Sequence, residues 1–431
     1  MKLVSVIVLL VGIVHSNVLR NFLKQNDEDG GEVYAVLVAG NGELHNMFSE
    51  ADVCLLYHIL VHHGVKEEKI ITFLEDDIKD DPDNPWHGEL RLGVDGPDVR
   101  KGCKVSYSGA NHNVDNFLKV LKGDDTGVGP VLNSTEKDRV FLYHASHGGQ
   151  GFVAFGDYVL FTNQVKEAFD HMHSQRKYKE LLYHVDACFS GSMVSWLPED
   201  WRILGFTGAN ESEFEMGSSF KVGDIRLDLV GEMSCAWQHS VEREDLDALT
   251  IKEQYNYVKN KTHQSTVSVY GDKSILKEPV GLYDGETPYK FGKPVPEQTC
   301  ALENSYLRAE SDLHLLKHKL EMAKVNKNYK KAKEVAEELQ KLHDLRENVN
   351  QKIDNLVLKT ISSRGFIVNE LAEKHQHLDC YEQVTRAFFQ HCHPEHKKKI
   401  GRIKYDKIQK LCHGNLPAEV LVENLQAHCQ N

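Results

Sequence analysis

Two kinds of hydrophobic pattern alternate along the first two thirds of the chain. Val33-Tyr34-Ala35-Val36-Leu37-Val38-Ala39 is a continuous apolar run, rich in β-branched residues, that stops at Gly40-Asn41-Gly42. Such a run, without polar alternation, predicts a strand buried on both faces and followed by a turn. Ile70 to Leu74, Arg139 to His144, Leu181 to Asp186 and Ile203 to Thr207 repeat it. Between these runs apolar residues recur at helical spacing: Val53, Leu56, Ile59 and Leu60 within residues 51–63, then Val114 to Leu121 and Gln164 to His173. Strands alternating with helices predict right-handed crossovers and an α/β domain with a mostly parallel sheet flanked by helices. Ligands and reactive groups of such sheets gather at the carboxyl ends of the strands.

After about residue 285 the pattern becomes purely helical. Residues 302–359 are rich in Leu, Glu and Lys, with Val335, Ala336, Leu339, Leu342, Val349, Ile353, Leu356 and Val357 at helical spacing. The seam is too short and irregular for a coiled coil, so this segment is expected to pack on the first domain. Asn326-Lys327-Asn328-Tyr329-Lys330-Lys331 is polar and predicts an exposed, protease-accessible break. No internal repeat is found.

The amino terminus reads Met1-Lys2, an apolar run from Leu3 to Val14, then His15-Ser16, which predicts a signal peptide over residues 1–16. The run of about 12 residues falls short of the ~20 that cross a bilayer, so no membrane anchor is expected. An acidic leader follows over residues 17–31. Sequons at Asn133, Asn210 and Asn260 fit the same secretory route.

A chain of 431 residues has room for two or three domains, and 41% hydrophobic with 27% charged residues describes a folded globular protein. The formal net charge of −13 argues against nucleic acid as a primary partner. Charge is unevenly spread. Residues 301–431 hold 22 Lys+Arg against 18 Asp+Glu, a net of +4, which leaves 29 against 46, or −17, for residues 1–300. The two parts should attract, and ten of the 24 His lie in the basic part, where acid would charge them.

Nine Cys in an oxidising compartment leave at least one without an intrachain partner. Cys380, Cys392, Cys412 and Cys429 crowd the carboxyl end and are expected to form two disulfides, with three connectivities open. The cluster His391-Cys392-His393-Pro394-Glu395-His396 also admits a metal reading, but no second Cys/His pair stands at zinc-finger spacing, so no metal is expected.

Two strand ends carry reactive residues. The third strand runs into His147-Gly148-Gly149-Gln150-Gly151 and the fourth into Asp186-Ala187-Cys188-Phe189-Ser190-Gly191-Ser192. A His and a Cys at neighbouring strand ends can meet, the imidazole serving as base for a thiol that is mostly protonated at neutral pH. The amides of Gly148 and Cys188 are candidates for an oxyanion hole. The plainer alternative is a structural Cys beside a surface His. A phosphate-binding loop is disfavoured because no Gly-Lys-Ser/Thr follows the glycines.

With these motifs in view, the chain resembles the legumain family, the asparaginyl endopeptidases or vacuolar processing enzymes, nearly end to end. The resemblance rests on Val36-Leu37-Val38-Ala39-Gly40, Ala51-Asp52-Val53-Cys54, Asp76-Asp77-Ile78, Asp83-Asn84-Pro85, Asn116-Phe117-Leu118, His147-Gly148, Ala187-Cys188 and Ser190-Gly191-Ser192-Met193, in order. It implies a caspase-like α/β fold and a cysteine endopeptidase of acidic compartments, lysosome or vacuole, acting on proteins or peptides without a cofactor. It implies Cys188 as nucleophile, His147 as base and Asn46 as a third residue beside the His. It also implies a peptidase domain over 32–288, a linker and activation segment over 289–331, and a helical prodomain over 332–431 that inhibits its own enzyme. Cystatin-type inhibitors are the implied outside partners. The GPI transamidase subunit shares fold and dyad but normally carries a carboxyl-terminal membrane anchor.

The departures concern specificity. Ser146 stands where legumains have Asp, and Asp186 and Phe189 replace the two Glu around the Cys. The Arg-His pair of the asparagine pocket corresponds to Phe48 and Ser49, and the pocket serines to Phe214 and Glu215, while the pocket Asp is matched to Asp224. The pocket has lost its cation and kept or gained acids. A shift from Asn toward Lys or Arg before the scissile bond is expected; the alternative is a degraded pocket and an inactive, secreted binding protein.

Overall fold

The computed structural model describes residues 31–92, 94, 96–223, 225–243, 249–284, 305–364, 378–392, 405–412 and 417–429. The signal peptide, all but the last residue of the acidic leader, and Asp224 lie outside them. Strands run in chain order as β1 (Val33–Ala39), β2 (Ile70–Phe73), β3 (Arg139–Ala145), β4 (Gly148–Gly149), β5 (Phe152–Phe155), β6 (Tyr158–Phe161), β7 (Glu180–Asp186), β8 (Ile203–Thr207), β9 (Met216–Val222), β10 (Ile225–Gly231), β11 (Ser268–Gly271) and β12 (Ser305–Leu307). The longer helices are α1 (Met47–His62), α2 (Val114–Lys122), α3 (Thr162–Ser174), α4 (Glu232–Arg243), α5 (Ile251–Lys261), α6 (Ser311–Val325), α7 (Tyr329–Arg364), α8 (Leu378–His391), α9 (Asp406–Cys412) and α10 (Ala418–Cys429).

The central sheet has the order β11-β8-β7-β3-β1-β2 and is parallel except for β11 at one edge. This is the α/β architecture expected from the alternating runs. Those runs are continuous because the strands feed two cores. Ala35 and Leu37 pack into the core that holds α1, while Val36 and Val38 pack into the one that holds α2 and α3. In the register of β3 with β7, Ala145 stands opposite Asp186, so both strands end level and release His147 and Cys188 side by side.

Three further pieces complete the molecule. β4, β5 and β6 form a small meander beside the end of β3. β9 and β10 form a hairpin outside the main sheet, and β12 adds to β9 antiparallel. The helical segment expected from residue 302 therefore begins later, with a strand over 305–307 that exists only through its pairing. The predicted break separates α6 from α7, with Val325 65% and Tyr329 74% exposed beside it. The carboxyl-terminal helices do pack on the first domain. Val349, Ile353, Tyr381, Phe388 and Leu421 share a buried cluster with Phe152 and Phe161 of the meander. Fully burying one such phenylalanine contributes about 1.5–3 kcal/mol.

Cys235 is disulfide-bonded, and between described residues disulfides join Cys54 to Cys103, Cys380 to Cys412 and Cys392 to Cys429. The last two resolve the connectivity of the terminal cluster and occupy the thiol that a metal site there would have used. Among the described residues Cys188 is the free cysteine, and it is buried. The sequon residues Asn133 and Asn260 are exposed, whereas Asn210 is half-buried. No described helix is long and apolar enough to cross a membrane.

Candidate active site

Cys188 follows the carboxyl end of β7, and the chain turns sharply after it. Phe189 carries the turn at φ 57, a left-handed conformation that a bulky residue adopts only when its surroundings hold it. Here the Phe189 amide donates to the Glu213 carbonyl at 2.8 Å and its ring lies 4.7 Å from that of Phe214. The Cys188 sulfur accepts from the Glu215 amide at 3.3 Å and from the Ala309 amide. Burial, then the Glu215 carboxylate, push its thiol up to about 12, so it is protonated. A side chain at Gly148 would run into the Cys188 carbonyl, so only glycine brings β4 this close.

His147 is buried one residue before β4. Its ring Nε2 lies 2.8 Å from the Asn46 Oδ1, and the Asn46 Nδ2 donates to the Gly42 carbonyl at 2.6 Å. The second bond fixes which way the amide faces. Its oxygen points at His147, so Nε2 carries the proton and Nδ1 keeps a lone pair, with no protein partner. The His147 amide is anchored on the Asn41 side chain at 2.8 Å. Burial, and next the charge of His45, lower the imidazole to about 3. As folded, the pair is a neutral thiol beside a neutral imidazole.

The neighbouring pocket is acidic and it is filled. Arg308, just after β12, is wholly buried. Its Nη1 donates to Asp186 at 2.9 Å and to Glu215 at 3.0 Å, and its guanidinium lies 4.2 Å from the centre of the Phe48 ring. Its backbone amide donates to the Glu215 carbonyl at 3.1 Å, continuing the β12–β9 pairing. Tyr143 links Asp186 to Asp52, its hydroxyl 3.3 Å from each carboxylate, and Gln238 donates to Asp52 at 2.8 Å. Burial opposes ionisation of Asp186, but the Arg308 charge wins and holds that carboxyl below its usual range. Burial, and then the charge of Asp186, raise Asp52; burial outweighs the Arg308 charge in raising Glu215, with Asp186 adding to the rise. One carboxylate thus faces the guanidinium while its neighbours favour their protonated forms.

The segment continues across the cleft. Ser311 Oγ lies 3.5 Å from both His147 Nε2 and Asn46 Oδ1. Arg346 of α7 reaches back to the Asp312 carboxylate at 2.7 Å and to the Ala309 carbonyl at 3.3 Å. Residues 305–311 therefore lie through the site from one side to the other.

Of the residues singled out in the sequence, the structure brings Cys188, His147, Asn46, Gly148, Asp186, Glu215 and Phe48 together. Ser49 turns away and donates to the Asn41 and Asn46 carbonyls at 2.8 and 2.9 Å. Phe214 packs on Phe189 rather than on the guanidinium. Arg308, Asp52, Tyr143, Ser311 and Arg346 were not singled out. One signal was available: Arg308 is the single arginine between Arg243 and Arg346 in a stretch whose other cations are lysines.

A free thiol and an imidazole at adjacent strand ends, with a peptide laid through the cleft as an added strand, have the architecture of a cysteine peptidase. Residues 33–286 match the Peptidase C13 family. The chain is 30% identical to legumain of Rattus norvegicus over 400 residues, covering 90% of this chain and 88% of that protein. It is 31% identical to hemoglobinase of Schistosoma mansoni over 390 residues, with 89% and 90% covered. It is 30% identical to the vacuolar-processing enzyme delta-isozyme of Arabidopsis thaliana over 399 residues, with 86% and 85% covered. Among solved structures it is similar to caspase-1 from Spodoptera frugiperda, at 11% identity and a TM-score of 0.34, covering 60% of this chain and 92% of that one. The chain belongs to the peptidase C13 family, alongside the legumains, and is a cysteine endopeptidase.

Proposed function

We propose that this is a legumain-type endopeptidase made as a zymogen, with arginine rather than asparagine preferred before the scissile bond. The observation that carries the reading is Arg308, seated between Asp186, Glu215 and Phe48 with its strand paired to β9. A buried guanidinium needs a carboxylate and gains from an aromatic face, and the pocket supplies both. A neutral primary amide would leave those acids without a countercharge.

In the reaction, the His147 Nδ1 takes the Cys188 proton and the sulfur attacks the arginine's own carbonyl carbon. The tetrahedral oxyanion is received by the Gly148 and Cys188 amides. His147 returns its proton to the departing amine, leaving an acyl-enzyme that water hydrolyses through the same imidazole. Asn46 keeps the imidazole in the tautomer that leaves Nδ1 free. Residues 305–311 hold the enzyme latent by presenting Arg308-Ala309 at the thiol while Ser311 sits over His147 and Asn46. Activation proceeds by cleavage in the exposed stretch 326–331, release of the helical prodomain and withdrawal of residues 305–325 from the cleft, in an acidic secretory compartment such as the lysosome. Cystatin-type inhibitors would compete for the cleft that residues 305–311 vacate.

The test is cleavage by the acid-matured enzyme of fluorogenic peptides differing only in the residue before the scissile bond, with Cys188→Ala as control. Arginine is expected to lead, followed by lysine, and the control to be silent. Asparagine in the lead would overturn the specificity. A folded, prodomain-free enzyme inert toward every peptide would point to a binding protein instead.

A further inference from the structure

β12 enters the cleft as a substrate strand does, and alternate residues of a strand share a face. Tyr306 and Arg308 therefore point the same way. Tyr306 pairs with Gly217 of β9, and Gly217 is where the neighbouring strand reaches across. Asp228 of β10 is 3% exposed, and a Cβ on Gly217 would lie 2.5 Å from its carboxylate oxygen. The missing side chain leaves that carboxylate room to reach the incoming strand. The Tyr306 hydroxyl faces this carboxylate, whose charge adds to burial in raising the phenol, and its ring stacks at 4.3 Å on His314 of α6. The same carboxylate also adds to the negative field around Arg308.

We propose that Asp228 is a second specificity determinant, which selects a phenolic side chain two residues before the arginine. The preferred substrates are then Tyr-x-Arg segments of proteins. This rests on the reading of Arg308 as a mimic of the residue before the scissile bond. His314 belongs to the activation segment and leaves the cleft with it, but Asp228 and Gly217 belong to the peptidase part and remain. A phenol differs from a phenyl ring by a hydroxyl that can donate to the carboxylate, and a buried acceptor left without that donor loses a charge-assisted hydrogen bond. Selectivity for Tyr over Phe should therefore reach about tenfold.

The matured enzyme is assayed on Tyr-Leu-Arg, Phe-Leu-Arg and 4-methoxyphenylalanyl-Leu-Arg reporter peptides, alongside Asp228→Asn. The expected result is about tenfold higher kcat/KM for the Tyr peptide than for the other two, and a Tyr-to-Phe ratio within about twofold in the variant. The methoxy peptide keeps the ring and removes the donor, so the proposal stands or falls on the unmodified enzyme even where Asp228→Asn does not fold. Cleavage of all three peptides at one rate overturns the role of Asp228 and leaves the arginine reading intact. Cleavage of none of them, by an enzyme active on other peptides, overturns the arginine reading and this one with it.

Discussion

Arg308 Nη1 stands 2.9 Å from Asp186 Oδ1, and neither side chain touches solvent. A buried pair of this kind adds little net stability over apolar residues of the same shape, but removing one partner leaves a charge stranded, at about 3–5 kcal/mol. Arg308→Ala in the full chain should therefore weaken the hold of residues 305–311 on the cleft. Alkylation of Cys188 by a small thiol reagent at neutral pH is expected to accelerate by at least about a hundredfold. Unchanged protection would mean that α6 alone keeps the cleft shut.

The Phe48 ring, 4.2 Å from the Arg308 guanidinium, should give the pocket a preference between cations. A planar guanidinium stacks on its face, whereas a lysine ammonium is a strongly hydrated point charge. The stacking is worth about 0.5–2 kcal/mol. In the matured enzyme Phe48→Ala should lower kcat/KM for arginine peptides by about three- to thirtyfold and lysine peptides by less. Equal losses on both would assign Phe48 to packing.

Most of the sheet was legible in the chain because β1, β3, β7 and β8 are buried on both faces and so read as unbroken apolar runs. The hairpin of β9 and β10 was not, since Met216-Gly217-Ser218-Ser219-Phe220-Lys221 follows neither period. β12 is a strand only because β9 has a free edge, so three residues carried no signal of their own. Cys188 and His147 announced themselves by sitting just after two strand ends. The acids of the pocket were visible, but their counterion was not: Arg308 lies 122 residues from Asp186, and no local pattern reports a contact of that range.

Asn46 touches His147 and not the thiol. Its amide, fixed on the Gly42 carbonyl, holds the proton on Nε2. Asn46→Ala removes that constraint while leaving the acidic pocket around Asp186 and Glu215 in place. Turnover should fall about a hundredfold, by the scale of general-base contributions, with KM for arginine peptides changed little. A loss confined to KM would make Asn46 part of the binding surface.

Closure of the cleft sets the charge state of His147, and the sign of the linkage follows. His45, Asp312, Arg308 and Arg346 face the imidazole from the surrounding elements. Burial first, then the cations, lower it to about 3, with Asp312 opposing. In an opened cleft it returns toward its ordinary value of about 6.5. The closed form then binds fewer protons than the open form between those values, so closure is complete above about pH 6.5 and weakens steadily as the pH falls below it. Asp83, held low by its bond to Lys319 of α6, works in the same direction but only below about pH 4. His314 of α6, lowered by burial and then by the charge of Arg226, works in the same direction within this window, so between about pH 6.5 and 4 the opening should follow His147 together with His314. Hydrogen exchange at β12 in a Cys188→Ala chain is expected to rise as the pH is lowered through this window, after correction for intrinsic exchange. In the double variant with His147→Asn the rise should shrink to the part that His314 supplies. An identical profile in both chains would move the acid sensor away from the active site and onto the interface of the prodomain helices.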